Sequence, residues 1–487
     1  MHEKTHTTFI KQGVILAAAG LLSRTLGFFL RIPLVNILGD EGNGIYGDGY
    51  TIYNFFLILS SAGLPAALSK IVAARVAEGK RAEAQFIFNT ALKFSVAVGF
   101  AGFLILALFA GKFAVLIKNP KSYYTIIALS PTILVVAVAA VYRGYFQGLK
   151  TNIPTAVSQV AEQFFNVTFS IILMLLFMKI PLPQDNPFHN DIIVLGAAGG
   201  QLGTFVGATA GLAVIYYMYR KRLPKILKSI SQRASKARFS SRKAIIEIVS
   251  TSVPIIAGTA VFSISNLVDS AMVKARLIEA GFLPDVAVAM YGAYNGKFVT
   301  LTTLPVAISA ALATSAIPSI AESLARNDRL AVESKINAAF RSAMVVSIPA
   351  AVGLGVLASP VYKFIFARAP DGAGMMSLGA VSVIFLALSQ IATGCLQGVG
   401  EIKIPVFAAF MGVIVKIPLN YILCAMPNIN VYGAVISTIA CYVVSSACNV
   451  YFLSKKLGVK IDMSRSVMRP LAAAAGMGMG AYITYAA

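Results

Sequence analysis

Two arginines and one lysine stand inside apolar stretches of the sequence, where a charge is costly unless something compensates it. Arg24 and Arg31 are seven residues apart in the first stretch, so a helix would carry both on one face, about 10 Å apart. Lys297 lies inside another stretch, away from its ends. Each charge would cost about 2.5–3.5 kcal/mol in hydrocarbon. The three therefore predict a shared water-filled cavity that binds an anion, and arginine matches phosphate geometry well.

Carboxylates also occur inside the apolar stretches, at Asp48, Glu162 and Asp269. In one interpretation they only neutralise buried cations, which would make them structural. Asp269 allows a second interpretation, because Ser263 and Asn266 precede it on the same predicted helix and offer hard oxygen ligands. A sodium or proton site at these three residues is therefore an alternative to simple charge pairing.

The elements that must position these side chains are long apolar runs. Residues of the types AVILMFWYC make up 57% of the chain, only 12% is charged, and the mean hydropathy is +0.78. Runs of about 20 residues cross about 30 Å of hydrocarbon, which predicts an all-α polytopic membrane protein. Thirteen helices are predicted, at 12–38, 45–74, 86–111, 123–147, 153–178, 192–219, 245–273, 286–317, 334–358, 375–398, 403–425, 431–454 and 466–486.

Loops that are rich in Lys and Arg alternate along the chain with loops that are poor in them. With a cytoplasmic N-terminus, the inside loops carry 26 Lys and Arg and the outside loops carry 8, which predicts that orientation. The segment 220–243 holds ten basic residues and no acid, as expected of a linker that lies on anionic membrane lipids. The net charge of +22 is thus a feature of topology, and nucleic acid is not an expected partner.

Short sequence matches relate the two halves of the chain. Residues 64–69, 146–149 and 195–197 resemble 304–309, 396–399 and 432–434, at offsets of 240, 250 and 237 residues in the same order. Collinear matches indicate an internal duplication, and six helices per half make the repeat parallel. We expect a six-helix lobe at 1–219, the basic linker at 220–243, a second six-helix lobe at 244–456, and an extra C-terminal helix region at 457–487.

The positive charge of the predicted cavity indicates which class of cargo it would bind. Cations on the opening helices of both lobes favour an anion and would repel cationic drugs. The tail of a lipid can stay in the bilayer while its phosphorylated head crosses the cavity. A lipid-linked phosphate or diphosphate is the cargo these residues predict. The sequence contains no nucleophile–base arrangement and no glycine-rich phosphate loop, so we do not expect an enzyme.

Several motifs resemble a known family. Residues 23–28 (Ser-Arg-Thr-Leu-Gly-Phe) followed by Arg31, then 45–48 (Ile-Tyr-Gly-Asp) and 63–66 (Gly-Leu-Pro-Ala), resemble the MOP exporter superfamily. Within it, the chain is most similar to the polysaccharide-biosynthesis group of lipid II flippases (MurJ) and their Gram-positive SpoVB/YtgP-like relatives. The resemblance extends over essentially the whole chain and implies a MATE/MOP-like fold.

The resemblance also implies a function and a site. Members carry undecaprenyl-diphosphate-linked peptidoglycan precursor, lipid II, from the cytoplasmic to the outer leaflet of the bacterial plasma membrane by alternating access. Cations on helices 1 and 8 are critical in the family, which assigns Arg24, Arg31 and Lys297 to substrate binding, with Lys297 where arginine is familiar. Asp48 matches an acidic position on helix 2. Some members have a cation site involving helix 7, which adds weight to Asn266 and Asp269.

Further expectations complete this hypothesis. Glu162 and Asn420 are candidate polar residues of the cavity, no cofactor is expected, and the coupling would use Na+, H+ or the membrane potential. Cell-wall synthesis machinery is an expected partner. The family has fourteen helices, so this chain is expected to stop before the last one, which would leave the family's C-terminal groove for the lipid tail incomplete.

Three other functions remain open at this stage. The first is a flippase for another lipid-linked glycan, such as an O-antigen, capsule or spore-cortex intermediate. The second is a MATE-like cation-coupled drug antiporter, which the basic cavity disfavours. The third is a non-transporting membrane scaffold in cell-wall assembly, which would leave Arg24 and Lys297 without a purpose.

Overall fold

The structure is a computed structural model that describes residues 2–181, 183–189, 191–231, 240–459, 461–462 and 464–486. Within these ranges all regular secondary structure is helical. All of the thirteen predicted runs lie mainly in helical structure, as expected when hydropathy dictates the element, although some of them are divided between two helices. Part of the predicted basic linker, residues 232–239, lies outside the described residues, and Arg220 to Ser231 continue the preceding helix.

Seventeen α-helices make up the described chain, with short π-helical turns at Ile58–Ala62, Tyr294–Phe298 and Ser464–Met468. In chain order they are α1 His2–Leu57, α2 Leu64–Ala77, α3 Arg81–Leu108, α4 Ala110–Leu116, α5 Tyr123–Gly148, α6 Ile153–Phe177, α7 Ile192–Ser231, α8 Ser241–Glu279, α9 Pro284–Ala293, α10 Val299–Ala325, α11 Arg329–Val356, α12 Ala358–Ile365, α13 Ala373–Gly379, α14 Ser382–Gly398, α15 Lys403–Leu423, α16 Tyr432–Leu457 and α17 Arg469–Ala486.

Many of these helices could span a membrane. In the described residues, nine helices are long and apolar enough to cross a membrane, or ten if the bent pair α13 and α14 is one span. The first of these spans, Ala18–Ala77, combines two helices that were expected to be separate. The chain is therefore a multi-pass membrane protein.

The expected interruption between the first two runs is present as a kink at Gly39, where two helices meet within α1, but it is shorter than predicted, because residues 40–44 are already helical. Only Gly39 leaves helical geometry there, with φ 69° and ψ −171°, a combination that is essentially restricted to glycine. The polar side chains that follow find partners within the protein, so the chain needs no exposed turn. Asn43, for example, is buried and donates to the Gly292 carbonyl oxygen at 2.7 Å.

The helices divide into two compact units. Unit 1 comprises residues 1–30 and 45–267, and unit 2 comprises residues 31–44 and 268–487. The segment 31–44 of α1, which contains the kink at Gly39, is thus part of unit 2. Helix α8 is divided between the units after residue 267. The four-part domain boundaries expected from the sequence stay a prediction.

Unit 1 has an aromatic core where α3, α5 and α7 meet. The Phe88 ring lies 4.3 Å from Tyr145 and 5.1 Å from Tyr219, measured between ring centroids. The Gln85 amide satisfies both hydroxyls, accepting from Tyr145 at 2.6 Å and donating to Tyr219 at 2.9 Å. Buried tyrosines are tolerated in an apolar core because their hydroxyls have such partners.

Unit 2 is built on an aliphatic core. Ile320 of α10, Phe340 of α11 and Leu396 of α14 are fully or almost fully buried in one cluster. Ala474 of α17 joins the same cluster, so the extra C-terminal helix expected from the sequence packs against α11.

Glycines let α6 and α7 approach closely within unit 1. A Cβ atom at Gly207 would lie 2.5 Å from the Glu162 carbonyl oxygen and 2.7 Å from Asn166 Cβ, and one at Gly199 would lie 2.5 Å from the Leu173 carbonyl oxygen. Gly199, Gly203, Gly207 and Gly211 are spaced four residues apart, so they form a small-residue face on α7 that allows this close packing.

We expect Gly207→Ala to destabilise the protein by about 1–3 kcal/mol, because the added methyl has no space between the two helices. Gly480→Ala in α17 is the matched control, since no atom lies within 4 Å of a Cβ built there. The control should be neutral or stabilising by up to about 1 kcal/mol. Thermal unfolding of the purified variants in detergent measures both effects, and equal melting temperatures would contradict the close-packing explanation.

Candidate functional site

The break at Gly39 directs the next residue, Asp40, to a buried lysine of unit 2. Lys297 Nζ lies 2.6 Å from Asp40 Oδ1 and 2.8 Å from Oδ2, so the ammonium is held between both carboxylate oxygens. It also donates to the carbonyl oxygens of Ala369 at 2.7 Å and Asp371 at 2.9 Å. The Lys297 side chain is 0% exposed and that of Asp40 is 18% exposed.

Close backbone approach supports this ion pair. A Cβ atom at Gly44 would collide with Val288, one at Gly292 with Asp40, and one at Gly296 with Asn43. Residues 40–44 therefore lie directly against α9 and the π-helical turn that carries Lys297. Glycine at these positions is what allows a charged side chain of α1 to reach the lysine.

Arg31 lies in the same segment and is half-buried. Its Nη1 donates to Asn43 Oδ1 at 3.3 Å, and it has a further interaction within the protein. One turn further, Asn36 donates to the Ile365 carbonyl oxygen at 2.8 Å and accepts from the Arg368 amide at 3.1 Å. Residues 31–43 are thus tied to unit 2 by side chains as well as by packing.

Arg24, the other predicted cation of helix 1, differs from these residues because it is exposed. None of the described side chains forms an ion pair or hydrogen bond with it. It lies well inside the span Ala18–Ala77, where a lipid-facing guanidinium would be costly. Arg24 is therefore the predicted substrate cation with the most accessible charge.

Lys297 contrasts with Arg24. The sequence had predicted a hydrated ammonium, but in this conformation Asp40 and two backbone carbonyls compensate the charge. The sequence did not indicate this partner, because Asp40 lies between the predicted helices 12–38 and 45–74. The substrate-binding roles of Arg24, Arg31 and Lys297 stay predictions.

Asp48 and Glu162 both have partners in unit 1. Asp48 is fully buried and accepts from Asn119 Nδ2 at 2.7 Å, with further interactions of its own. Glu162 Oε2 lies 2.5 Å from Arg143 Nη2, and the same Arg143 nitrogen donates to Ser158 Oγ at 2.8 Å. The charge-pairing interpretation of Glu162 therefore has a named cation.

The structure brings together Asp269 and Asn420, which the sequence had assigned to separate groups. Asn420 Nδ2 donates to Asp269 Oδ1 at 2.6 Å, and Ser437 Oγ donates to Asn420 Oδ1 at 2.5 Å. Lys416 Nζ pairs with Asp269 Oδ2. Within unit 2 these side chains form a buried polar cluster that joins α8, α15 and α16.

The other two predicted ligands of the ion site behave differently. Ser263 is buried and Asn266 is exposed. Among the described residues, no hydrogen-bond partner is found for Ser263 Oγ. The ion-site role of Ser263, Asn266 and Asp269 stays a prediction.

Sequence reasoning missed three partners: Asp40, Lys416 and Arg143. Lys416 and Asn420 are four residues apart in one apolar run, a spacing that puts both on one helix face, so this pair carried a readable signal. Arg143 lies near the end of the predicted helix 123–147, and Asp40 lies between two predicted helices. Their partners lie on other helices, and no local pattern identifies those.

Buried ion pairs on interrupted helices of a two-unit, all-α membrane fold are characteristic of secondary transporters. A sequence profile described as polysaccharide biosynthesis protein matches residues 9–324, and one described as MatE matches residues 254–422. The chain belongs to the polysaccharide biosynthesis protein family, within the MOP superfamily.

Two Bacillus subtilis (strain 168) proteins are among the similar sequences. The lipid II flippase MurJ is 27% identical over 93% of this chain and 84% of its own length. Stage V sporulation protein B is 25% identical over 94% of this chain and 85% of its own length. MurJ and the MATE structural neighbours are a flippase and transporters, not enzymes.

Solved structures show the same fold. A lipid II flippase MurJ in an inward closed conformation matches with a TM-score of 0.70 at 15% identity, over 97% of this chain and 93% of that one. An inward-facing multidrug resistance MATE transporter of the MOP superfamily matches with a TM-score of 0.71 at 14% identity, over 89% and 94%. The expected fold class, an all-α MATE/MOP-like protein of two helical bundles, is confirmed.

We expect Asp40→Asn to cost about 3–5 kcal/mol of stability, because it leaves the fully buried Lys297 ammonium without a counter-ion. Adding Lys297→Met should recover most of the loss, since the pair is then replaced by uncharged groups.

The exposed pair Lys80–Glu78, with side chains 58% and 46% exposed, supplies the control. Lys80→Ala is expected to cost at most about 1 kcal/mol of stability. Melting temperatures in detergent measure all variants. Additive losses in the double variant would contradict the pairing.

Proposed function

We propose that this protein is a flippase for a lipid-linked glycan, and most specifically that it carries undecaprenyl-diphosphate-linked peptidoglycan precursor, lipid II, to the outer leaflet by alternating access. Family membership and the MurJ relative support this proposal. The observation that carries it is Arg24, an exposed arginine well inside a membrane helix. An anionic head group in water would compensate that charge better than lipid tails can.

Charge chemistry makes a diphosphate the favoured head group. Arginine donates paired N–H groups that match phosphate oxygens, and Arg24 and Arg31 lie two turns apart on one helix. In this conformation Lys297 is held by Asp40, whose side chain keeps some exposure. We propose that the phosphate competes with Asp40 for Lys297 during the transport cycle, so that the lysine exchanges one anionic partner for another. Asp48 stays a proposed substrate residue, and Glu162 and Asn420 stay proposed polar residues of the pathway.

Topology and partners follow from the same proposal. The excess of basic residues in alternate loops supports a cytoplasmic N-terminus in the bacterial plasma membrane. The partners would be the lipid-linked diphosphate glycan, membrane lipids and the cell-wall synthesis machinery. Transport would be driven by Na+, H+ or the membrane potential.

A second candidate is a flippase for a different lipid-linked glycan, such as a spore-cortex intermediate. The observation that favours it is the similarity to stage V sporulation protein B, which covers 94% of this chain, against 93% for the similarity to MurJ. A MATE-like drug antiporter has support from the MatE match to residues 254–422. The cationic residues disfavour cationic drugs as cargo.

Complementation separates these functions. The gene is expressed in a strain depleted of its own lipid II flippase, and precursor translocation is measured by the exposure of new lipid II at the outer surface. We expect growth and translocation to recover. Normal protein levels without recovery, together with rescue of a strain lacking a sporulation flippase, would instead identify a spore-cortex cargo. Efflux of cationic dyes would identify the antiporter.

Arg24 variants test the head-group role in the same assay. We expect Arg24→Ala to lower translocation by more than about tenfold, since the loss of a charged hydrogen-bonding group is worth about 1.5–3 kcal/mol. Arg24→Lys should recover part of it, because lysine keeps the charge without the paired donors. Lys70→Ala, at another exposed cation of the same span, should leave translocation unchanged. Normal translocation by Arg24→Ala at normal protein level would exclude this role.

A further inference from the structure

The polar cluster around Asp269 in unit 2 contains more polar groups than a salt bridge between Asp269 and Lys416 would require. It consists of a carboxylate, an amide and a hydroxyl from three helices. One cation faces this group, the Lys416 ammonium. Asp269, Lys416, Asn420 and Ser437 are all buried, so bulk water compensates none of these charges or dipoles.

The Asp269 carboxylate is saturated from two sides. Its Oδ2 pairs with Lys416 Nζ, and its Oδ1 accepts from Asn420 Nδ2 at 2.6 Å. The Asn420 oxygen in turn accepts from Ser437 Oγ, and the Ala434 carbonyl oxygen, 3.0 Å from the same hydroxyl, is an alternative acceptor of its proton. Carboxylate, amide and hydroxyl oxygens are hard ligands of the kind that bind alkali and alkaline-earth cations.

The helix geometry delivers the ammonium to this group. Lys416 and Asn420 are four residues apart on α15 and share one face, so the amide and the ammonium reach the same carboxylate. A Cβ atom at Gly412, one turn earlier, would lie 2.7 Å from the Cys441 carbonyl oxygen. The glycine thus allows α15 and α16 to pack closely enough for Ser437 to complete the cluster.

The other titratable groups near the ammonium are Tyr294, Tyr442 and Cys441. Tyr294 already shares a hydrogen bond of 2.7 Å with Thr438. Asp269 is therefore the carboxylate that balances Lys416, and the pair is neutral as a whole. A free monovalent cation beside Asp269 would have to compete with an ammonium that is covalently attached and carries the same charge.

We propose that Lys416 is a tethered cation that takes the place of a free alkali ion beside Asp269. In the native protein the carboxylate then binds no Na+, which replaces the prediction of a sodium site at Asp269 and leaves H+ or the membrane potential to drive transport. Removing the ammonium, while leaving Asp269, Asn420 and Ser437 in place, opens a monovalent-cation site. The proposal goes beyond the flippase function and does not depend on which glycan is carried, because its test reads cation binding and not translocation.

The experiment uses the full chain in detergent, in NaCl or in choline chloride of equal ionic strength. Unfolding is followed with a thiol-reactive dye, because three of the four cysteines are buried and the chain has no tryptophan. We expect the wild-type melting temperature to be the same in both salts. For Lys416→Ala we expect NaCl to raise it by about 2 °C or more, because a ligand that binds only the folded state stabilises it.

Two matched variants isolate the cause. Lys416→Arg keeps a cation beside the carboxylate and should stay insensitive to Na+. Asp269→Asn combined with Lys416→Ala removes both charges and should lose the Na+ response of Lys416→Ala. Lys416→Gln, which is uncharged and bulkier than alanine, provides a second opened site if the alanine variant is not recovered, and its response to NaCl is expected to have the same sign.

Binding of radioactive Na+ to the same samples gives an independent readout. We expect saturable binding to Lys416→Ala and none at this site in the wild type. Saturable binding to the wild type that Asp269→Asn abolishes would overturn the proposal, because the carboxylate would then accept a free ion beside the lysine. The absence of any Na+ response in both uncharged Lys416 variants would also overturn it, and would leave the pair as a structural bridge.

Discussion

Charge compensation in a low-dielectric interior is the constraint on which both units depend. Two of the buried lysines of unit 2 have a carboxylate partner on another helix: Lys297 pairs with Asp40, and Lys416 pairs with Asp269. A third, Lys274, donates to Ser270 Oγ and lies over the Tyr291 ring. In such surroundings removing one partner costs far more than the pair contributes. Helix breaks and glycine contacts are arranged so that these partners can meet, which is why Gly39 and Gly292 lie beside the first pair.

The same constraint explains how helices are joined inside a unit. Lipid provides no hydrophobic driving force between helices, so close packing and polar contacts hold them together. In unit 1, glycines of α7 pack against α6, and the Arg143–Glu162 pair joins α5 to α6. In unit 2, the Asp269 cluster joins three helices. The pairs thus contribute more to which helices are neighbours than to net stability.

Transport requires that some of this compensation can be exchanged. A paired and fully hydrogen-bonded ammonium such as Lys297 binds a new anion only by releasing an old one, whereas an exposed guanidinium such as Arg24 can bind directly. Lys416 is the cation least able to bind a new anion, because its partner carboxylate also accepts a hydrogen bond from Asn420. The cations therefore differ in accessibility, and that difference gives each a distinct proposed part in a flippase cycle.

The sequence by itself determined the helices and the positions at which a membrane helix carries an unusual charge. Both depend on consecutive residues, since a run of apolar side chains forms a spanning helix and a single Arg24 or Asp269 within it is visible at once. Tertiary structure alone decided the partners. Asp40 and Lys297 are 257 residues apart, and Asp269 and Lys416 are 147 apart. Which charges meet depends on how helices are rotated and how closely their backbones approach, and a local pattern does not contain that information.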